Sequence, residues 1–515
     1  VQPHQECELK LALEPASLAT LARSTLLASA DTGPRRTRTR TVYFDTPDLA
    51  LRAQGLSLRI RQDGNEAVQT VKNTGHALLR GEWSMPIAGD APDPALVPDR
   101  RIAQFLSRAR IRRALKPVFS VDMERDIWRL GEDGSQVEIV LDSGMIRTDD
   151  AEEAVCEAEI ELLGGQPASL RAVAQKVGRV VPALLSLASK AERGYRLLES
   201  PTPRPSPDCD VDVAEDLSVG AAHRVTALAA LRLFLDNLGH IQATGSVDSV
   251  HLSRVALRRV RALRSLFRPL LDTTADASIR DDLRWISGCL GALRDLDVFC
   301  AEQLAPAAKA HPRAPGFDGL ADFLAARRAE LLVKARAALA SPRFLDLSLA
   351  LLWEAEGLDR SQAPAEIAAE PLRPFLRAQW DRRLRKLVRA GRDLEEQAPP
   401  ARHETRIRAK KLRYMIEPFA SLTRGKASTR LLARLKALQD TLGALNDRAT
   451  GEAMLIDLSR QLLDRAGQDA ARASEPLFAA GLIAGRGESD PGKARQRALK
   501  ARDRLADTNP FWEDW

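Results

Sequence analysis

Near its start the sequence reads Glu6-Cys7-Glu8-Leu9-Lys10. In an extended strand alternate side chains share a face, so Glu6, Glu8 and Lys10 point one way and Cys7 and Leu9 the other. Such a face suits the solvated edge of an ordinary strand. It also suits the lining of a wet, ion-filled interior, in which the carboxylates hold a hard divalent cation and the lysine a phosphate oxygen on that cation. Recurrence of the pattern separates the two readings, and it recurs. Glu157, Glu159 and Glu161 take one whole face of a later segment, with Ala158, Ile160 and Leu162 on the other. Arg59 and Arg61 alternate with Leu58 and Ile60, Lys72 faces away from Val71, and Arg80 shares a face with Glu82, as Glu138 does with Asp142. One strand offers carboxylates and others offer guanidinium and ammonium groups. A solvated surface gains little from that segregation, whereas a closed lumen binding condensed phosphate through metal and basic clamps requires it.

The rest of the first 200 residues agrees with a sheet. Short alternating segments at Thr41 to Phe44, Leu56 to Gln62, Ala67 to Asn73, Arg80 to Pro86, Val118 to Leu130, Val137 to Leu141 and Val155 to Leu162 predict strands. Asp63-Gly64-Asn65 and Asp133-Gly134 are turn signals, and Ile102 to Leu115 reads as helical. Close spacing implies a mainly antiparallel sheet able to close on itself.

At 515 residues the chain exceeds one core, and 44% hydrophobic with 29% charged residues supplies ordinary core material. No apolar run reaches the roughly 18 residues of a transmembrane helix, and no basic-then-apolar signal segment opens the sequence. Cys7, Cys156, Cys209, Cys289 and Cys300 are scattered and lack C-x-x-C spacing, which argues against a disulfide framework and a zinc site and for a reducing cytoplasm. Residues 1–200 hold 27 Lys+Arg against 28 Asp+Glu, leaving 77 − 27 = 50 against 70 − 28 = 42 for the remainder. The positive excess therefore lies entirely in the C-terminal part and points to an anionic polymer or surface as its partner.

The first 200 residues resemble the CYTH family, also called triphosphate tunnel metalloenzymes. The likeness rests on Glu6-x-Glu8-x-Lys10, Tyr43-Phe44-Asp45-Thr46, Leu58-Arg59-Ile60-Arg61, Val71-Lys72, Arg80-Gly81-Glu82, Glu138 with Leu141-Asp142, Glu157-x-Glu159-x-Glu161, and Ser189-Lys190-Ala191-Glu192-Arg193-Gly194-Tyr195. It implies an eight-stranded antiparallel tunnel acting on triphosphates with Mg2+ or Mn2+. Carried over by residue, it implies metal binding by Glu6, Glu8 and one or more of Glu157, Glu159 and Glu161. Phosphate oxygens would be gripped by Lys10, Arg59, Arg61, Lys72, Arg125 and Lys190, although Arg125 sits in a segment charged on both faces. Glu82, Glu138 and Asp142 would orient a second metal or the attacking water. No residue is singled out as general base, and Arg193 and Tyr195 suit either rim packing or phosphate contact.

Ser200 to Asp208 reads Ser-Pro-Thr-Pro-Arg-Pro-Ser-Pro-Asp, a stiff spacer and the clearest boundary. Beyond it strand signals vanish. His251, Arg254, Arg258, Arg259, Arg261 and Phe267 recur as His403, Arg406, Lys410, Lys411, Arg413 and Phe419, with 403 − 251 = 152 and the same offset throughout. Leu290-Gly291 and Asp295 recur at that offset as Leu442-Gly443 and Asp447, so a helical unit is duplicated. In each copy the basic residues share a helical face, with Val260, Leu263, Leu266 and Phe267 turned toward a core. Rows of guanidinium forks suit a repeating anion. The expected division is a tunnel domain at 1–199, a linker at 200–215 and a helical domain at 216–515 with repeats near 216–355 and 370–485 plus a tail. Glu354 to Pro374 and Glu395 to Pro400 are expected to be connectors.

These motifs resemble the CHAD domain, an all-helical duplicated bundle that binds inorganic polyphosphate and often follows a CYTH domain. The resemblance implies polyphosphate binding by His251, Arg254, Arg258, Arg259, Arg261, His403, Arg406, Lys410, Lys411 and Arg413, with Asp295, Asp297 and Asp447 holding arginines in place. The overall expectation is an α+β tunnel plus an all-α bundle: a cytoplasmic inorganic triphosphatase, associated with polyphosphate granules, with no membrane or nucleic-acid partner. A non-catalytic polyphosphate binder, and a tunnel acting on thiamine triphosphate or a nucleotide or cyclising ATP, stay open. Gly485 to Trp515 ends in Pro510-Phe511-Trp512 and reads as a docking tail.

Overall fold

The computed structural model describes residues 4–31, 33–63, 66–73, 79–200, 202, 204–206, 211–271, 273–358, 365–394, 396–423, 425–466, 471–486 and 491–515. Nine strands form one antiparallel sheet: β1 (His4–Ala12), β2 (Arg35–Asp45), β3 (Leu56–Asp63), β4 (Glu66–Asn73), β5 (Leu79–Pro86), β6 (Lys116–Glu132), β7 (Ser135–Arg147), β8 (Glu152–Gly164) and β9 (Leu184–Ser186). Their order is β5-β4-β3-β2-β6-β7-β8-β1-β9, and β5 also pairs with β1. That extra pairing closes eight strands into a ring. Residues 8–12 of β1 pair with β8, residues 4–7 with β5, and residues 10–12 with the short β9, so the first strand is the seam.

The ring is inverted relative to an ordinary globular core, because its apolar side chains point outward. Leu9, Leu11, Ile139 and Ile160 are buried on the outer face. They lie beneath the helix Pro167–Val180, whose Leu170, Val173, Ala174 and Val177 are buried in turn. Phe44, Leu58, Ile60, Val71 and Trp83 pack with Leu106 and Ile111 from the helical patch expected near 102–115. Full burial of each such side chain stabilises by roughly 1.5–3 kcal/mol. The lumen is thereby left to charged groups. Asp133 (φ 46°) and Gly134 (φ 74°) make the tight turn joining β6 to β7, while Gly64 and Asn65 lie outside the described residues.

The chain divides into two compact units: 1–206 with 235–243 and 337–358, and 207–234 with 244–336 and 359–515. Two segments expected in the helical domain thus group with the sheet. The physical cause is packing of the helix Pro342–Glu356, where Gln175 bonds Asp346 (2.9 Å) and a Cβ on Gly178 would lie 2.4 Å from Leu345. The spacer is held rather than free at Ser206, whose N–H and C=O both bond the buried Asn237 amide at 3.0 Å.

The second unit is helical, and the duplication is visible in it. Helices Val247–Leu266 and Thr273–Phe299 are matched by Pro399–Ile416 and Lys426–Ala466. The equivalent residues Phe267 and Phe419 are fully buried with ring centroids 6.3 Å apart. The stretch expected as a connector near 354–374 holds a short helix, Ala365–Ala369, before Leu372–Ala390. The expected docking tail packs on its own unit: Trp512 is fully buried, its ring tilted against that of Trp380 with centroids 5.2 Å apart, and it donates its indole N–H to Asp381 (2.5 Å). No helix among the described residues is long and apolar enough to cross a membrane.

Candidate functional site

The ring encloses a cavity of about 360 Å³. Its wall brings together Glu8, Lys10, Arg59, Arg61, Lys72, Glu82, Arg125, Glu138, Glu159, Glu161 and Lys190 from seven strands and one helix. Strand register explains the grouping. Glu8 lies opposite Glu161, which lies opposite Glu138 on the next strand, a row of three carboxylates on one face. Directly paired residues of adjacent strands have Cβ atoms about 4.5–5.5 Å apart, close enough for one cation to satisfy several of them. Glu6 belongs to the same strand, but its side chain lies outside the described residues, as do those of Arg80 and Asp447.

Beside that row sits a dense ion-pair cluster. Lys10 Nζ lies 2.6 Å from Glu159 Oε1 and 2.7 Å from Glu8 Oε1. Arg125 grips Asp142 with a fork, Nε to Oδ1 at 2.6 Å and Nη2 to Oδ2 at 2.8 Å, and also donates to Glu159. Lys190 Nζ contacts three carboxylates at once: Glu157 (2.6 Å), Asp142 (2.7 Å) and Glu159 (2.9 Å). Those three carboxylates present oxygens within 4.8 Å of one another, the arrangement of a cation site with the ammonium at its centre. Burial would by itself lower Lys190 and raise Glu159, since it disfavours either charge. The opposite charges win: Glu157, Glu159 and Asp142 hold Lys190 well above its ordinary range, and Lys10, Lys190 and Arg125 hold Glu159 well below its own. Lys10 and Arg125 are likewise raised against burial, Lys10 by Glu159 and Glu8, and Arg125 by Glu159 and Asp142.

Glu82 stands apart from this cluster. Lys72 Nζ reaches it at 2.6 Å, Arg59 Nη2 at 4.0 Å, and the Ser84 hydroxyl donates to it at 2.7 Å. Burial would raise its pKa, but Lys72 and Arg59 lower it to about 2. Glu138 accepts from Arg129 at 3.0 Å. The expected association of Asp142 with Glu82 and Glu138 differs from what the fold assembles. Asp142 gathers with Glu157 and Glu159, and both Asp142 (0% exposed) and Glu157 (1%) sit behind Lys190 and Arg125, off the cavity wall.

The local sequence around Lys190 accounts for its placement. Ser189 caps the helix Lys190–Glu199, its hydroxyl accepting from Glu192 N–H (3.1 Å) while Glu192 accepts from Ser189 N–H (2.7 Å). A Cβ on Gly194 would fall 2.3 Å from the Phe119 ring, so glycine lets the helix approach the ring of strands. Tyr195 donates to Asp45 Oδ2 at 2.8 Å, and Asp45 also accepts from the N–H groups of Thr46, Leu51 and Arg52. Burial, then the Asp45 charge, pushes the Tyr195 phenol far up. Arg193 bonds Glu153 (2.7 Å), and neither Arg193 nor Tyr195 lines the cavity. Sequence reading missed Arg35, Thr37 and Thr39, which line it from β2. The signal was present as the unbroken alternation Arg35-x-Thr37-x-Thr39-x-Thr41-x-Tyr43, which extends the strand six residues ahead of Thr41.

In the helical unit the two basic faces converge, because the helices Val247–Leu266 and Pro399–Ile416 pack together. The Tyr414 ring lies 5.6 Å from the Arg258 guanidinium of one repeat and 4.9 Å from Arg413 of the other, both in cation–π range. Arg254 donates to Ser287 C=O (3.2 Å) and Arg261 to Ser287 Oγ (3.3 Å). The repeated Leu-Gly pair has a physical cause. A Cβ on Gly291 would lie 2.8 Å from Arg254 Nη1, and one on Gly443 would lie 3.3 Å from Arg406 Nη2, so each glycine leaves room for the equivalent arginine. Burial, then Arg383, Arg261 and Arg268, lowers Lys411, while burial, Arg294 and Arg258 lower His251. Asp297 accepts from Arg328 Nε at 2.6 Å, the arginine-holding role expected of it.

Residues 4–195 match the CYTH domain family and residues 226–456 the CHAD domain family. An inorganic triphosphatase of Haemophilus influenzae is 31% identical over 201 residues, 38% of this chain and 55% of that protein, so the chain matches about half the length of this relative. An uncharacterized protein of Mycobacterium tuberculosis is 25% identical over 86% of this chain and 85% of its own length. The crystal structure of the CHAD domain from the plant Ricinus communis is similar at 24% identity and TM-score 0.48, over 59% of this chain and 98% of that one.

Proposed function

We propose that this chain, a CYTH domain followed by a CHAD domain, hydrolyses inorganic triphosphate to pyrophosphate and phosphate inside its ring of strands, with Mg2+ or Mn2+, and binds inorganic polyphosphate on its basic helix faces. The observation that carries the reading is the division of the cavity wall. Glu8, Glu161 and Glu138 form one carboxylate row, while Arg59, Arg61 and Lys72 project from β3 and β4. At about 360 Å³ the cavity is near the small end of ligand sites, roughly 300–1,000 Å³. Among the described residues lining it Tyr43 alone is aromatic, which favours a bare condensed phosphate over a nucleoside that would stack.

The donor set fits a hard divalent cation, since Glu8, Glu159, Glu161 and Glu138 offer only carboxylate oxygens. Such an ion, when bound, neutralises phosphate oxygens and lowers the pKa of a bound water. Arg59, Arg61 and Lys72 then bind the remaining oxygens of the chain and hold the terminal phosphorus in line for attack. In the reaction a water oxygen bonds the terminal phosphorus, the P–O anhydride bond breaks, and pyrophosphate leaves with the bond's electron pair as the water's proton passes to solvent. With Lys72 and Arg59 lowering it to about 2, Glu82 stays an ionised partner of those two cations near neutrality. In this reading catalysis rests on positioning and charge neutralisation. Asp142 and Glu157 act on Arg125 and Lys190, holding them at the wall.

The test is phosphate release from tripolyphosphate with Mg2+ or Mn2+ by the unmodified chain and by Glu8→Gln/Glu161→Gln. The double variant, and the unmodified chain in excess chelator, should lose at least a hundredfold in rate. Undiminished release in either sample sinks the proposal.

A further inference from the structure

The duplication is not symmetric at one end, and that asymmetry builds a pocket. Between the helices of the first repeat lies a cavity of about 200 Å³ lined by Arg261, Arg264, Arg268, Arg280, Arg284 and Lys411. Among the described residues lining it Asp276 is the one acid, 3.3 Å from Arg264 and 3.4 Å from Arg280. Arg264 forms a buried floor, while the other five cations are exposed around it. Arg383 adds charge beside the cavity, donating to Ser265 C=O at its edge. At the offset of 152, the positions equivalent to Arg264, Arg268 and Arg280 are Ile416, Ala420 and Leu432, and Lys436 stands for Arg284. Only Arg261, as Arg413, keeps its identity. The basic helix faces are thus shared by both repeats, whereas the arginine pocket belongs to the first.

Crowding like charges costs stability unless an anion offsets them. Burial, then Arg284, lowers Arg261, and burial, then Arg382, lowers Arg383 beside the pocket to about 10. A linear condensed phosphate is not uniform along its length. Each internal group carries a single charge, whereas a terminal group resembles a phosphate monoester, with a second ionisation near pH 6 and about −1.5 to −2 charges at neutrality. A small, one-sided cup of guanidinium forks matches the terminal group, and an open basic face matches the uniform interior.

We propose that the first-repeat pocket is an end-group site, which binds the terminal phosphate of a linear condensed phosphate and so gives the helical unit a direction along its ligand. The proposal rests on the polyphosphate reading of these helices. Its test uses the full chain in excess chelator, titrated calorimetrically with linear tripolyphosphate and with cyclic trimetaphosphate, which has three phosphates and no end. Arg268→Gln/Arg280→Gln/Arg284→Gln removes three exposed mouth cations and should leave the fold intact, which circular dichroism checks. The tunnel is the same in both proteins, so the difference between them belongs to the pocket. The triple variant should bind the linear chain at least tenfold more weakly, with less than a twofold change for the cyclic one. Equal losses for both ligands, or no loss for the linear chain, overturn the end-group assignment. Failure of the unmodified chain to bind long polyphosphate counts instead against the polyphosphate reading itself.

Discussion

Replacing Lys190 with methionine isolates the charge at the centre of the tunnel cluster. The side chain is nearly isosteric, so packing changes little, but an ammonium held 2.6–2.9 Å from three carboxylates disappears. Asp142, Glu157 and Glu159 are then left with oxygens within 4.8 Å of one another, with Arg125 still on Asp142 and Glu159, Lys10 on Glu159 and Arg193 3.5 Å from Glu157. Two unit charges about 5 Å apart at an effective dielectric of about 20 repel by about 3 kcal/mol. Lys190 is the cation that touches all three carboxylates, so its loss leaves their repulsion only partly offset by Arg125, Lys10 and Arg193, and the variant should relieve the excess by taking up a proton or a cation. The expected net loss is about 3–5 kcal/mol, the usual cost of removing one partner from a buried ion pair.

The pH dependence follows from Glu159, whose pKa is depressed in the folded chain. A depressed carboxylate contributes stability that is full above its unfolded pKa of about 4.3 and is lost as pH falls through the folded value. The gap between the two proteins should therefore be widest near neutrality and shrink below about pH 4. Amide hydrogen exchange across the β7–β8 ladder reads the local stability, and divalent metal at a hundred times its dissociation constant should restore about 2.7 kcal/mol to the variant. A loss under 1 kcal/mol in chelator at pH 7.5, or no recovery with Mg2+ or Mn2+, would refute the view that this cluster is a cation site held by an internal ammonium.

Three further outcomes are expected. Glu82, lowered to about 2, supplies stability that is complete above its unfolded value and disappears between about pH 4.5 and 2, on the order of 3 kcal/mol, so Glu82→Gln should flatten the acid limb of the tunnel's unfolding curve; an unchanged limb contradicts the pairing with Lys72 and Arg59. Gly291→Ala gains about 1 kcal/mol of helix propensity but places a Cβ 2.8 Å from Arg254 Nη1, so thermal stability should hold while long-polyphosphate affinity falls several-fold; unaltered binding would remove Arg254 from the ligand-binding set. Trp512→Ala deletes a fully buried indole and should cost the helical unit about 3–5 kcal/mol in urea unfolding. A loss below 1 kcal/mol would mean the tail is not part of that core.

Alternation along single strands was enough to indicate the tunnel, because a strand's two faces are written at period two in its own residues. The interior set Glu8, Lys10, Arg59, Arg61, Lys72, Glu138, Glu159 and Glu161 was legible for that reason. Partnership was not. Which carboxylate meets which cation depends on register between strands far apart in sequence, as when β7 sets Asp142 opposite both Arg125 and Glu157. Arg35 was missed because the strand extends further than its apolar signal. Constant spacing likewise exposed the helical duplication, since equal offsets survive without any knowledge of packing. The arginine pocket did not show itself this way, for it unites residues from two helices of one repeat and the turn Arg268–Leu270 between them with Lys411 of the other. Periodicity is a local property and can be read from the chain; the depth of a charge, its partner and the cavity it faces arise only when distant segments close around one another.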